Sequence, residues 1–178
     1  VEDAGVLISA RLRLADGFLE IGESEKAREH AMSVHDLSLE LNEHQLHARS
    51  RVILGRYYAK TKDSELSLLH YNAALETFSE EANPTNAVET EMLLGQVLVD
   101  VGRTSEASEH YLDALSIAEA NDFRLLQAEI LARLGTIRGD RSERVAYLQR
   151  SLSVFKDLGA HTRMKEIQNS VHRALMGR

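Results

Sequence analysis

Apolar residues recur at spacings of three and four through most of the chain, in blocks separated by short polar breaks. That period is the one an amphipathic helix shows when one face turns inward. The stretch from Glu91 to Glu119 displays it twice, on either side of a break at Gly102-Arg103-Thr104. Two helices joined by a tight turn are predicted there. The same reading places helices at about 5–21, from Ser24 to about Leu41, at 44–60, from Ser64 to about Glu80, and from Pro84 to Gly102. Further helices are predicted from Thr104 to Asn121, at 123–137, from Ser142 to Gly159, and at 161–176.

The blocks are copies of one another. Leu94-Gly95 recurs as Leu54-Gly55 and Leu134-Gly135, with Leu14-Ala15 in the fourth position, all at forty-residue intervals. Tyr111 repeats Tyr71, and Ala114-Leu115 repeats Ala74-Leu75. Ser24, Ser64 and Thr104 keep the same interval and are expected to cap the second helix of each pair, with Asp63 contributing to the second of them. Gly22 and Gly102 are expected to close the helices before them, since glycine adopts a left-handed backbone without penalty. In the last pair the register slips: Leu152 follows Leu115 by 37 residues, so three residues are lost in the turn. A fixed period of this size marks an all-α solenoid. The expected organisation is a single array with repeats at about 5–42, 43–82, 83–121 and 122–159. A closing helix at 160–176 is expected to cover the last repeat with Met164, Ile167, Val171 and Leu175.

Composition sharpens this picture. One proline in 178 residues suits long unbroken helices. A hydrophobic content of 43% with only 5% aromatics implies a core of Leu, Ala and Val. A net charge of −7 argues against binding nucleic acid by neutralising phosphates. No apolar run approaches the roughly 20 residues that span a bilayer. Without cysteine there are no disulfides, thiolate metal sites or thiol nucleophiles. A chain beginning at Val1, with no signal-peptide pattern, is expected to be a piece of a longer or processed protein in the cytoplasm.

The core pattern resembles the tetratricopeptide repeat. The third repeat supplies Leu94-Gly95, Leu98, Ala107, Tyr111 and Ala114-Leu115; the second supplies Leu54-Gly55, Tyr58, Ser67, Tyr71 and Ala74-Leu75. The first keeps Leu14-Ala15, Phe18, Gly22, Ala27 and Ala31. The usual repeat is about 34 residues; this one is forty, similar to arrays in bacterial signalling regulators and scaffold proteins. The resemblance implies a right-handed α-solenoid of four helical hairpins plus a C-terminal capping helix. It implies a non-catalytic module that binds a peptide or protein partner in a concave groove, as the scaffold or regulatory arm of a signalling protein. An alternative is a sensory domain for a short signal peptide or small ligand.

By register, the groove would be lined by Ser9, Leu12 and Asp16; by Arg49, Val52, Arg56 and Lys60; by Glu89, Met92, Gln96 and Val99; and by Glu129, Ala132 and Thr136. Arg49, Arg56 and Lys60 form a basic stripe along one helix. It would suit an acidic segment of a partner, or it pairs with acids on the neighbouring helices; both readings stand. The family's clamp for chaperone tails needs a lysine and an asparagine where this chain has Leu12 and Asp16, so a chaperone C-terminal tail is not the expected partner.

Catalytic and metal-binding chemistry finds little support. The chain lacks HExxH, a phosphate-cradling glycine loop and a GxSxG elbow. His30, His70 and His110 are forty apart and read as one repeat position copied with the repeat. His44 and His47 have a chelating spacing but no third ligand nearby. No enzyme activity, cofactor, metal, nucleic acid or membrane partner is expected.

Overall fold

The computed structural model describes residues 2–137 and 139–176, with side chains from Gly5 onward. Among them are nine helices and no strand. They are α1 (Glu2–Glu20), α2 (Ser24–Glu40), α3 (His44–Lys60), α4 (Ser64–Glu80), α5 (Pro84–Asp100), α6 (Thr104–Ala120), α7 (Arg124–Leu134), α8 (Arg141–Asp157) and α9 (His161–Met176). The fold is the all-α tetratricopeptide-like solenoid read from the sequence. The chain divides into two compact units, Val1–Val97 and Leu98–Arg178, with the division inside α5.

The turns obey a period half as long as that of the core. Gly22, Asn42, Lys62, Ala82, Gly102 and Asp122 all have positive φ, between 49° and 86°. They lie twenty residues apart, so the turn within a hairpin and the turn between hairpins share one geometry. After each, the next residue's N–H bonds back to a carbonyl five residues earlier: Glu23 to Phe18, Glu43 to Ser38, Asp63 to Tyr58, Asn83 to Phe78, Arg103 to Leu98 and Phe123 to Ala118. This is a Schellman closure. The same residue then begins the next helix, for example as its carbonyl accepts from Ala27, Ser67 or Ala107.

Ser24, Ser64 and Thr104 are therefore not caps. Each is the first helical residue, and the cap position one residue earlier is held by Glu23, Asp63 and Arg103. Of these only Asp63 caps with its side chain, accepting from Leu66 N–H at 3.1 Å; Asn83 does the same for Asn86 at the start of α5. Phe123 occupies the cap position of α7 and makes no side-chain cap. Because the backbone closes these turns, the residue at the cap is free to vary.

Packing follows the forty-residue period closely. Ala27, Ala31, Val34 and Ser38 are buried on α2, and the residues forty later, Ser67, Tyr71, Ala74 and Phe78, are buried on α4. Ala107, Tyr111, Ala114 and Ala118 continue the series on α6. On α8 the buried residues are Leu148, Ser151 and Phe155, 37 after Tyr111, Ala114 and Ala118. The slip of three residues is real, and it falls where α7 stops at Leu134 after 11 residues instead of 17.

Gly55 and Gly135 are close-approach positions. A Cβ on Gly55 would sit 2.5 Å from the Tyr71 ring, and one on Gly135 would sit 2.5 Å from Leu148 Cγ. Ser67 Oγ donates to the Gly55 carbonyl at 2.9 Å, tying α4 to α3 at that point. In the second unit α9 lays Met164, Ile167, Val171 and Ala174 on α8 around Phe155, as a capping helix does. Leu175, expected on that face, is 46% exposed; Ala174 takes the place.

Candidate functional site

The first helices of the hairpins carry the candidate binding residues, and the two units are taken in turn. In the first unit, position twelve of the repeat belongs to the core rather than to a groove. Leu12 is fully buried in the cluster of α1, α2 and α3, and Met92 is buried as well. Val52 is half-buried against Tyr71, Leu94 and Val97. Leu12 and Met92 are thus removed from the candidate surface. The reason is rotational: a residue three after Ser9 or four before Asp16 is turned far enough to meet the second helix of its own hairpin.

The polar positions stay accessible. Ser9, Asp16, Arg49, Arg56 and Gln96 are half-buried, and Lys60 and Glu89 are exposed. Arg56 forks across to α1, donating from Nη1 to Asp16 Oδ1 at 2.7 Å and from Nη2 to Glu20 Oε1 at 2.6 Å. Lys60 Nζ donates to the Leu19 carbonyl at the end of α1. The lower two-thirds of the basic stripe is therefore a brace between the first two repeats, the pairing alternative of the sequence reading. Arg49 makes no ion pair among the described residues.

The histidines find a physical role. Phe18 stacks on His30 with centroids 5.4 Å apart, and forty residues later Tyr58 stacks on His70 at 5.3 Å. The repeated histidine covers the repeated aromatic of the facing helix. His47 meets His35 of α2, centroids 4.3 Å apart, and not His44. His35 Nδ1, His47 Nε2 and His70 Nδ1 are buried without a hydrogen-bond partner in the protein. Burial, with His35 and Arg51 beside it, pushes the His47 pKa down to about 4. Burial lowers His35 and His70 too. No group of three or more His, Asp or Glu among the described residues is arranged to hold a metal ion.

In the second unit, Glu129 is half-buried and held by Arg163 of α9 at 3.4 Å. Ala132 packs into the α8–α9 cluster, Val99 is half-buried, and Thr136 is exposed with its hydroxyl turned back to the Arg133 carbonyl. The capping helix thus occupies the acid that the register assigned to a partner.

The tetratricopeptide repeat family profile matches residues 92–121, the end of α5, its turn and all of α6. Over that hairpin the chain is similar to the tetratricopeptide repeat, and its fold is of that kind. Solved structures of this fold span nearly all of it at low identity. A Signal Transduction ATPase with Numerous Domains carrying a tetratricopeptide repeat sensor, from Pyrococcus horikoshii, matches with a TM-score of 0.82 at 15% identity over 94% of this array. The array spans only 26% of that chain's length. The apo form of RapI matches with a TM-score of 0.73 at 19% identity, over 98% of this array and 70% of that chain. A Rap conjugation gene regulator of the plasmid pLS20, solved with the Phr* peptide, matches with a TM-score of 0.69 at 15% identity, over 98% of this array and 54% of that chain. No curated protein sequence matches the array.

No described helix is long and apolar enough to cross a membrane.

Proposed function

We propose that the array is a non-catalytic interaction module that takes a peptide or protein segment on the first-helix face of its first unit. The observation that carries this reading is the division of labour along α1 and α3. Leu12 and Val52, the apolar positions that the register placed in the groove on these two helices, are spent on packing. Ser9, Asp16, Arg49 and Arg56 are left half-buried, where a polar contact excludes water without the full cost of deep burial.

Arg49 is the group with capacity to spare. Its guanidinium offers a planar fork to a carboxylate, and the brace at Arg56 and Lys60 would hold α3 in place while a ligand docks. A segment with an acidic residue set among apolar ones is the chemistry this face suits. The array would then serve as the recognition arm of a signalling protein.

A second reading, a sensor of a short signal peptide, is favoured by the pLS20 regulator, which carries a peptide in its structure, and by the sensor named in the archaeal ATPase. Both readings share the same face. A thermal-shift screen against short peptides, acidic and basic, tests them together. A raised midpoint with acidic peptides that is absent with basic ones of equal length supports the proposal. Equal response to both, or none to either, counts against it.

A further inference from the structure

The outer side of α1 carries Val6, Leu7 and Leu14 in the open, with exposures of 70%, 51% and 51%, and Ile21 in the turn after it is 72% exposed. Exposed leucines need no explanation singly, but these occupy a position that the rest of the array buries. Forty residues after Leu14 stands Leu54, 4% exposed; then come Leu94 at 0% and Leu134 at 4%. Ala10 is exposed, while its counterparts Ser50, Thr90 and Ile130 are at most 1% exposed. Gly17 is exposed, while Tyr57, Val97 and Ile137 are buried.

What covers the later copies is known. Leu54 and Tyr57 belong to the core made with α1 and α2, so the hairpin ahead of α3 shields them. Leu94 and Val97 pack on Tyr71, so the hairpin ahead of α5 shields them. In the second unit α7 packs on α6 in the same relation. The face on α1 is this stacking face, continued one repeat further, and no other described helix covers it.

We infer that the outer face of α1 is a docking surface for one more helical hairpin of the same repeat, stacked on α1 as the α1–α2 hairpin stacks on α3. The occupant's chemistry can be read from the copies. Its second helix must present small and apolar residues at the positions of Ala27 and Val34. It must also carry a ring at the position of Tyr71 and Tyr111. The ring follows from Arg13, which stands 120 residues before Arg133; Arg133 lies over the Tyr111 ring at 6.0 Å. Arg13 is exposed and has the same station toward an incoming hairpin. The opposite end offers a poorer match: the exposed residues of α9 include His161, Lys165, Gln168, His172 and Arg173 beside Leu175 and Met176. Head-to-tail stacking of copies would set that mostly polar face on Val6 and Leu14.

The test is a fusion. A second copy of residues 44–83, whose α4 carries Tyr71, is placed immediately before Ala4 so that its own turn leads into α1 in the repeat register. The fused protein is compared with the 178-residue chain, each with and without Leu14→Glu. The inference expects a monomeric fusion with added helical signal and a raised melting temperature. It expects Leu14→Glu to lower that temperature by roughly 5 °C or more in the fusion and to leave the unfused chain nearly unchanged. An added hairpin that is digested by protease, with Leu14→Glu acting equally in both backgrounds, overturns it. So does self-association of the unfused chain that Leu14→Glu abolishes, since the occupant is then a second copy. None of these outcomes depends on where a peptide binds.

Discussion

At the scale of single residues, the array is held by a few positions where one atom more or less decides the packing. Gly55 is one. Its missing Cβ is the space the Tyr71 ring fills, and Tyr71 is 1% exposed with no room to retreat. Gly55→Ala should cost about 1–3 kcal/mol by overpacking, read as a lower midpoint in urea. An unchanged midpoint would mean that the two helices can separate there freely. Ala82 is the converse case. Its φ of 49° is a left-handed conformation, which strains an L-residue by about 1–2 kcal/mol. It is exposed. Ala82→Gly should therefore stabilise the array by roughly 0.5–1 kcal/mol after glycine's entropy in the unfolded chain is counted. A loss of stability would show that the turn is not in this conformation.

The recurrence of Leu54-Gly55 and of Tyr71 at forty-residue intervals was legible in the sequence; that the ring fills the space above Gly55 came from the packing. The twenty-residue turn period was not legible. Gly22 and Gly102 announce a left-handed turn, but Asn42, Lys62, Ala82 and Asp122 adopt it with four different side chains. Schellman bonds from backbone groups fix it, and those leave no mark on composition. The same physics misplaced the caps: a serine or threonine after the turn looks like a cap, while the actual cap residue is unconstrained because backbone atoms finish the job.

At the scale of helices, α1 and α3 are joined by an apolar seam and by the Arg56 fork. The basic stripe was visible in the sequence, but its partners were not, since Asp16 and Glu20 lie forty and 36 residues away. Arg56 is 30% exposed on its side chain and Glu20 is 71% exposed, so the brace is a screened surface network and not a buried pair. Arg56→Glu puts three carboxylates together and should cost about 1 kcal/mol, with part of the loss recovered at high salt. Equilibrium unfolding at low and high ionic strength checks this. A loss that ignores salt would place the effect in packing instead of charge. Position twelve was likewise misjudged for a reason of geometry. Sequence spacing gives a face to within a wide arc, and only packing decides which edge of that arc, Leu12 or Asp16, meets the core.

At the scale of the whole chain, the buried imidazoles couple stability to pH. His47 is neutral in the folded array down to about pH 4, whereas an unfolded histidine takes a proton near 6.5. Between these values the unfolded chain binds more protons at this site than the folded one, so the His47 contribution to stability falls as pH falls from about 6.5 to about 4 and is constant below that. His35 and His70 are lowered for the same reason and add to the slope. His47 is only part-buried, so solvent screening reduces its share to about 1 kcal/mol. His47→Gln should flatten the fall in unfolding free energy across that window. An unaltered slope would shift the effect to other groups.

The central claim is that a peptide is read on the first-helix face, with Arg49 as its cationic contact. The most direct measurement is a calorimetric titration of the acidic peptide selected by thermal shift into wild type, Arg49→Glu and Arg173→Glu. Arg173 lies on α9, where it donates only to Ser170 among the described residues. A charge-assisted contact to Arg contributes about 1.5–3 kcal/mol. Arg49→Glu should therefore weaken binding at least about tenfold, with the helical circular-dichroism signal intact, and Arg173→Glu should bind as wild type does. Equal affinity in all three proteins would contradict the account and move the binding surface off α3.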